Sequence, residues 1–387
     1  MAPLRILVVL ASATLALLLP GASVAANSNS LQAKVTQILQ TYLKERGAAE
    51  HIDAASVSIT TLHGDAPTVA AAGAKPWTLF QIGSNTKAFT AVLALQLQAA
   101  GKLDLDAPIG QWLPQYPAWK NVTIRHMLNM TSGIGTYDND PAWQREYAKN
   151  PYRDYSAAEL VAAVYPKNGH GTFLRGWNYS NTGYILTQMI LERITGQSYA
   201  DLLQTRIFKP YRLANMYYDP NILPAIQQGR LSSGYFFNDE PDNNGLHLLY
   251  KRDVRNFSLS WTQAAGGIVA TPSAMDRWVQ ILYGPNILPK KQHDELLSCV
   301  SMMTGKPVAQ ASQSEPRTFG LGVGEMYKPT LGRFMFYEGM TLGYRVVHLY
   351  APQRNLVLTV ALNSQPNPNE DKVGVLIDRI VAVLPAQ

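Results

Sequence analysis

Segments with the residue pattern of β-strands lie near both ends of the chain, whereas its long middle is dominated by helical patterns. Near the start, residues 54–62 and 68–74 flank the turn-forming stretch 63–67 and are predicted to form a hairpin, which a short strand at 78–82 follows. Near the end, four predicted strands are separated by Gly, Pro and Asn turns: 318–327, 333–338, 344–350 and 356–362. This order predicts an α+β fold, with one antiparallel sheet assembled from both chain ends and an α-rich lobe inserted between them.

Amphipathic helices are predicted outside the strands at both termini. Apolar residues recur at helical spacing in 30–45 and again in 372–384, so each helix has one face that must be buried. We expect both terminal helices to lie on a face of the sheet. The chain beyond residue 26 is predicted to be a single domain, 27–387, with a sheet lobe of about 27–83 and 316–387 and an α-rich lobe of about 84–315.

The first residues have the order of charge, apolar core and small side chains that is typical of a secretory signal. Arg5 precedes an apolar run at 6–19, and small residues follow up to Ala26. The run of about 14 residues is shorter than the roughly 20 that a membrane span needs. We therefore predict that residues 1–26 are a cleaved signal peptide, that the protein is periplasmic or secreted, and that no membrane span remains after cleavage.

The composition excludes several classes of protein. The net charge of +6 is spread along 387 residues without a basic stripe, so nucleic-acid binding is not expected. The single cysteine, Cys299, cannot form an internal disulfide. The seven histidines lack a metal-binding spacing such as His-Glu-x-x-His, and no Gly-x-Ser-x-Gly turn occurs. We therefore predict no metal and no cofactor, and we exclude zinc hydrolases and α/β-hydrolases.

A serine and a lysine stand three residues apart at the start of a predicted helix. Residues 84–100 carry helix-forming side chains and end at Gly101, so Ser84 lies at the helix N-terminus and Lys87 lies one turn further along. A partly desolvated lysine can take the serine proton as a neutral amine, and the N–H groups at the helix start can stabilise an oxyanion. Taken alone, the pattern favours a helix cap followed by a surface lysine.

The second candidate motif is Tyr179-Ser180-Asn181, which precedes another predicted helix. A phenol near a lysine ammonium can have its pKa lowered and can carry a proton to a leaving group, and an Asn side chain can orient a substrate amide and the lysine. The alternative is a helix-capping turn with a half-buried tyrosine.

These motifs, taken in order, resemble the class C branch of the serine β-lactamases and penicillin-binding carboxypeptidases. The similar segments are spread over about 31–384 and are 80–87 (Phe-Gln-Ile-Gly-Ser-Asn-Thr-Lys), 101–108, 123–128 with 131–134, 179–183, 196–199 and 265–268. The resemblance implies a serine β-lactamase/DD-peptidase-like fold. It further implies that Ser84 is the acylated nucleophile, Lys87 its general base and Tyr179 a proton shuttle, and that Asn181 orients the substrate and the lysine.

One segment departs from this resemblance. Where the family has Lys-Thr-Gly, or a variant with His, whose cation meets a substrate carboxylate, this chain has Tyr337, Glu338 and Gly339. Aromatic replacements at this position resemble the family VIII-type esterases, whose substrates are neutral. Arg345 supplies the missing charge if its side chain faces the cleft, and the alternative is a solvated strand arginine.

The backbone beside this segment is implied to complete the site. The resemblance pairs the N–H group of Ser84 with that of Met340, the residue after Gly339, as an oxyanion hole. Glu338 is predicted to point away from the substrate on an alternating strand. The implied substrate-binding residues are therefore Asn181, Tyr337, Gly339, Met340 and Arg345.

The resemblance implies an exported serine acyl hydrolase that forms an acyl-enzyme on Ser84 and cleaves peptide or ester carbonyls. The implied partners are a small-molecule or peptide substrate, nominally a D-alanyl cell-wall peptide or a small ester, and cell-wall peptidoglycan. One alternative is a class C-type β-lactamase, and another, of a different class, is an inactive protein that binds cell-wall fragments. Intact Ser84, Lys87, Tyr179 and Asn181 favour an enzyme over the binding protein.

Overall fold

A sheet built from both chain ends dominates the computed structural model, which describes residues 20–64, 66–166, 173–218 and 223–384. The core of the predicted signal peptide, residues 1–19, lies outside these ranges. In chain order the strands are β1 Ala55–Thr60, β2 Thr68–Ala72, β3 Phe80–Gln81, β4 Met216–Tyr218, β5 Tyr235–Phe236, β6 Ile268–Ala270, β7 Cys299–Ser301, β8 Pro307–Val308, β9 Arg317–Phe319, β10 Gly324–Lys328, β11 Gly332–Thr341, β12 Tyr344–Ala351, β13 Leu356–Leu362 and β14 Ser364–Gln365.

Helices occupy both termini and most of the middle of the chain. They are α1 Pro20–Glu50, α2 Thr86–Ala99, α3 Ile124–Leu128, α4 Pro141–Lys149, α5 Ala157–Ala162, α6 Asn181–Thr195, α7 Tyr199–Leu203, α8 Ala225–Gln228, α9 Gln263–Gly266, α10 Pro272–Tyr283, α11 Lys290–Leu296 and α12 Val373–Ala382. Helix α6 illustrates how the sequence sets the ends of a helix. The Ser180 side chain caps its first turn, and Gly196, with a φ of +68°, ends it in the left-handed conformation that glycine adopts most readily.

Nine strands form one antiparallel sheet in the order β2-β1-β13-β12-β11-β10-β9-β7-β8. The two chain ends meet where β1 pairs with β13, so that Ala55 lies opposite Leu362 and Thr60 lies opposite Val357. Every residue of β13 is buried, which explains its nearly continuous apolar sequence, because helices cover both faces of the sheet there.

The terminal helices α1 and α12 pack on one face of the sheet, where Val35, Leu39 and Leu376 join a core with side chains of β1, β12 and β13. Helix α10 packs on the other face, against β1 and β13, and its apolar side chains continue into the core of the α-rich lobe. The structure therefore confirms the predicted α+β fold and the terminal helices on the face of the sheet.

The structure differs from the sequence prediction at two boundaries. Strands β7 and β8 extend the sheet although they fall inside the span predicted as the α-rich lobe, 84–315. Strands of three and two residues are too short to carry an alternating pattern that sequence reasoning can detect. The first helix runs from Pro20 to Glu50, beyond the predicted 30–45. Within the described ranges, no helix is long and apolar enough to cross a membrane.

Candidate active site

Ser84 lies in a single 3-10 turn, Gly83–Asn85, between the short strand β3 and helix α2. Gly83 has a φ of +51°, a conformation that favours glycine. A β-carbon at Gly83 would lie 2.5 Å from the carbonyl oxygen of Met340, and a β-carbon at Gly339 would lie 1.9 Å from that of Ile82. These two glycines therefore allow β11 to approach the serine turn closely.

Lys87 lies in the first turn of α2, and its side chain is fully buried. Its Nζ lies 2.9 Å from Ser84 Oγ, 2.6 Å from Asn181 Oδ1 and 2.9 Å from the carbonyl oxygen of Ala265. Burial lowers the pKa of Lys87 to about 7, and the Asp138 carboxylate opposes this shift. A neutral amine donates its two N–H groups to the Asn181 and Ala265 oxygens, so its lone pair is left to accept the Ser84 hydroxyl proton.

Tyr179 contacts the same serine from the α-rich lobe. Its hydroxyl lies 2.5 Å from Ser84 Oγ, and Lys87 Nζ lies 4.8 Å from the centre of its ring. Burial raises the pKa of Tyr179, and the hydrogen bond to Ser84 and an interaction with Tyr337 offset only part of that rise. The expectation that the lysine lowers the pKa of this phenol is therefore wrong, because burial disfavours the charged forms of both groups. Tyr179 is a neutral donor at neutral pH.

Asn181 begins helix α6 and connects Lys87 to an acidic residue. Its Oδ1 accepts from Lys87, and its Nδ2 donates to Asp138 Oδ2 at 2.8 Å. The Thr136 hydroxyl donates to the other carboxylate oxygen of Asp138, and also accepts from the Asn181 backbone N–H at 3.0 Å. Asp138 therefore fixes the orientation of the Asn181 amide. Sequence reasoning missed Asp138, because it lies in a short segment without a recognisable motif.

A second buried network holds the serine turn against the sheet. Asn85 Nδ2 donates to the carbonyl oxygens of Ile82 and Val346, each at 2.8 Å, and Asn85 Oδ1 lies 2.7 Å from His348 Nδ1. Burial lowers the pKa of His348 to about 3, so the imidazole is neutral and its Nδ1–H can donate to Asn85. Sequence reasoning missed this contact as well, although Asn85 stands inside the Ser-x-x-Lys motif.

Tyr337 occupies the position at which the family has a cationic side chain and this chain has none. Its ring is 7% exposed and packs edge-on against Phe319, with 5.7 Å between ring centres. Burial raises the pKa of Tyr337 well above its ordinary value, so the phenol is uncharged at neutral pH. Tyr337 and Tyr179 line a second cavity of about 380 Å³, which extends toward the N-terminus of α12. Gly339 lies two residues further along β11, against the serine turn.

Arg345 does not face the cleft, and the idea that it replaces the missing cation is wrong. Its side chain is fully buried on the face of the sheet that the terminal helices cover. Its guanidinium pairs with Glu50 at 3.1 Å and with Asp371 in a shorter contact, and its Nε donates to the carbonyl oxygen of Ser364 at 3.0 Å. Two carboxylates therefore neutralise this charge inside the protein.

Glu338 interacts with the residues around Arg345. Burial first, and then the nearby Asp371 carboxylate, raise the pKa of Glu338, which favours its protonated form. Glu338 also lines the cavity at Ser84, and its pointing away from the substrate stays a prediction.

Ser84, Tyr179, Asn181 and Met340 line the cavity at the nucleophile, which has a volume of about 370 Å³. Because β11 approaches the serine turn closely, the backbone of Met340 lies against Gly83, the residue before Ser84. The oxyanion hole of Ser84 and Met340 stays a prediction. In this arrangement Lys87 can deprotonate Ser84 beside a substrate carbonyl. Backbone N–H groups can then stabilise the oxyanion that forms on the carbonyl oxygen. In the described part of the chain, no group of three or more His, Cys, Asp or Glu side chains is arranged to hold a metal ion.

Comparisons with known proteins identify the family to which the chain belongs. Penicillin-binding protein 4* of Bacillus subtilis is 26% identical over 308 residues, which are 76% of this chain and 63% of that protein. Teichoic acid D-alanine hydrolase of Staphylococcus aureus is 25% identical over 226 residues, 57% of this chain and 51% of that protein. The chain thus spans between half and two thirds of these relatives.

A similar fold occurs in the crystal structure of a D-stereospecific amidohydrolase from a Streptomyces species. The two structures align with a TM-score of 0.75 at 23% identity, over 92% of this chain and 99% of that one. The family model described as Beta-lactamase matches residues 36–382, which is most of the chain. The protein therefore belongs to the Beta-lactamase family of serine hydrolases, which also includes penicillin-binding proteins.

Proposed function

We propose that this protein is an exported serine acyl hydrolase that forms an acyl-enzyme on Ser84 and cleaves ester or amide bonds of D-alanyl compounds or small esters. The observation that carries the proposal is the contact of one buried amine, Lys87 Nζ, with Ser84 Oγ at 2.9 Å together with its pKa of about 7. A base with a pKa near the working pH is the most effective one for general catalysis.

Acylation begins when the neutral Lys87 amine takes the hydroxyl proton of Ser84. Ser84 Oγ forms a bond to the carbonyl carbon of the substrate, and the carbonyl oxygen becomes an oxyanion held by the N–H groups of Ser84 and Met340. When this intermediate collapses, the bond to the leaving group breaks. The Tyr179 hydroxyl gives its proton to the leaving oxygen or nitrogen and regains one from the Lys87 ammonium, and Asn181 holds the amine in place throughout.

Deacylation repeats these steps with water as the nucleophile. The same basic group takes a proton from the water, the hydroxide adds to the acyl carbon, and Ser84 Oγ leaves with a proton. The acid product and the free enzyme result. Each proton that Lys87 accepts is returned in the same half-reaction, so the cycle needs no cofactor.

The charge of the site favours substrates without a carboxylate. Tyr337 is uncharged and Arg345 is neutralised, so neither gives a penicillin or a peptide C-terminus a fixed cation to bind. We therefore propose that short esters and D-alanyl esters react faster than penicillins or D-alanyl-D-alanine peptides. The relative named teichoic acid D-alanine hydrolase supports an ester as substrate.

The proposal is tested by offering four reagents to the purified protein and to Ser84→Ala: a fluorophosphonate, a fluorescent penicillin, a p-nitrophenyl ester and a D-alanyl-D-alanine peptide. We expect fluorophosphonate labelling and ester turnover only with Ser84 present, and slower reaction with the other two. Absence of any labelling would favour the inactive binding protein. Faster turnover of the penicillin would favour a β-lactamase.

A further inference from the structure

The second cavity, which Tyr179 borders, has a wall that is mostly apolar. Most of its lining side chains are hydrophobic, and several of these are only partly buried: Trp177, Met302, Met326 and Phe336. They leave apolar surface facing a volume of about 380 Å³. Contact of such surface with water is unfavourable, and ligand sites in proteins are typically apolar cavities of about 300–1,000 Å³ with a few polar groups at one end.

Aromatic rings form the end of this cavity that is nearest to the nucleophile. Phe319 packs against Trp177 and against Tyr337, with 5.7 Å between ring centres in each pair. The ring of Trp177 lies 6.4 Å from that of Tyr179, whose hydroxyl is 2.5 Å from Ser84 Oγ. An apolar group in the cavity can therefore belong to the same substrate as the carbonyl that reacts with Ser84.

The charged residues of the wall do not place a fixed charge at the aromatic end. Glu325 pairs with Arg333 at 2.8 Å, and protonation is favoured for Glu338. Arg317 is exposed to solvent and precedes Phe319 on β9 by two residues, which places it about 7 Å further along the strand. The end of the cavity near Ser84 therefore suits an uncharged group.

Helix α12 leaves the cavity open at Gly374. This glycine borders the cavity, and a β-carbon built on it would meet no heavy atom within 4 Å. Asp378, one turn further along α12, pairs with Lys328 of β10 at 2.5 Å, so this face of the helix is turned toward β10. A side chain at position 374 would therefore project into the space between the helix and the strand. Glycine weakens a helix relative to alanine, so helix stability does not explain its presence here.

We infer that the second cavity is a substrate subsite for an uncharged apolar group, namely an alkyl chain of about six carbons or an aromatic ring. The inference rests on the proposed function, because the apolar group must belong to an ester or amide whose carbonyl carbon reacts with Ser84. The hydrophobic substituent belongs to either the acyl group or the leaving group. Tyr179 lines both cavities, so the two sides of the bond are distinguished by the test.

The test compares two isomeric esters with ethyl acetate, and hydrolysis is followed by pH-stat titration. Ethyl hexanoate has four more methylene groups than ethyl acetate in its acyl group, and hexyl acetate has them in its alcohol. Each methylene group that is buried contributes about threefold to fourfold in affinity. Because burial in the cavity is incomplete, we expect the wild-type kcat/KM of at least one isomer to exceed that of ethyl acetate about tenfold to a hundredfold.

Gly374→Leu fills the cavity from the helix side. We expect it to lower the ratio of kcat/KM for the preferred isomer to kcat/KM for ethyl acetate about tenfold, and Gly374→Ala, which adds one carbon, to lower it less. The matched control is Val375→Leu, because Val375 is 44% exposed on the same helix and lies outside the cavity wall. It should keep the wild-type ratio. Far-UV circular dichroism verifies that each variant is folded.

A second measurement needs no variant. Ketones that replace the ester oxygen by a methylene group have no leaving group, so they can serve as inhibitors of wild-type ethyl acetate hydrolysis. Methyl propyl ketone matches ethyl acetate, propyl pentyl ketone matches ethyl hexanoate, and methyl heptyl ketone matches hexyl acetate. The ketone that matches the preferred isomer is expected to inhibit at a concentration about tenfold lower than methyl propyl ketone.

Three results would overturn the inference while leaving a working serine hydrolase. They are equal kcat/KM values for the three esters, a preference for the longer chain that persists in Gly374→Leu, and equal inhibition by the short and long ketones. Absence of ester hydrolysis and of fluorophosphonate labelling in the wild type would instead refute the proposed function itself.

Discussion

The pH dependence of acylation tests the role of Lys87 as a neutral base. Its pKa is lowered from 10.5 to about 7 in a fully buried position, which corresponds to about 5 kcal/mol against the ammonium form. The amine is neutral in about one molecule in ten at pH 6 and in about nine in ten at pH 8. Because only the neutral amine can accept the Ser84 proton, the acylation rate is expected to rise about tenfold over this range and then level off.

The assay is the second-order rate of fluorophosphonate labelling, measured from pH 5.5 to 9.5 at constant ionic strength. Far-UV circular dichroism at each pH confirms that the protein stays folded. Lys87→Met serves as the control, and it should lose about 10²- to 10⁴-fold in rate and show no inflection near pH 7. A wild-type rate that climbs about tenfold per pH unit beyond pH 9 would mean that the base titrates as an ordinary lysine, and the reasoning would be refuted.

Two further predictions concern Tyr337 and Arg345, in and after the segment that departs from the family resemblance. Tyr337→Lys should raise kcat/KM for a D-alanyl-D-alanine peptide relative to its C-terminal amide by about tenfold to a hundredfold, whereas Tyr337→Phe, which adds no charge, should leave the ratio unchanged. Arg345→Met leaves the Asp371 carboxylate without its cation and leaves Glu50 with only the Arg46 ion pair at 3.3 Å, so it should lower the free energy of unfolding in urea by about 3–5 kcal/mol. Arg345→Met should not alter the ratio of kcat/KM for the peptide to kcat/KM for its C-terminal amide. A changed ratio with normal stability would mean that Arg345 binds the substrate after all.

Local patterns in the sequence were sufficient to predict the sheet from both chain ends. The spacing of Ser84 and Lys87 at a helix start allows their contact, but only the family resemblance distinguished a catalytic pair from a helix cap followed by a surface lysine. Tyr179 and Asn181 are about 95 residues away in sequence, and only the order of motifs in a family resemblance brought them to the site.

The remaining features depend on contacts that no local pattern encodes. Arg345 is neutralised by Glu50, 295 residues earlier in the chain, so its burial follows from the packing of the first helix on the sheet. The pKa of Tyr179 rises because of burial, which spacing along the chain cannot indicate. Asp138 and His348 act through the side chains of Asn181 and Asn85, and single residues of this kind carry no motif.

The identity of the acylated residue is the central claim, and peptide mapping of the labelled protein tests it most directly. The wild type is treated with a fluorophosphonate, digested and sequenced by tandem mass spectrometry. Folded Ser84→Ala protein is treated in the same way. We predict one adduct per chain, on Ser84, and none in the variant. An adduct on another residue, or an equal yield in Ser84→Ala, would contradict the account.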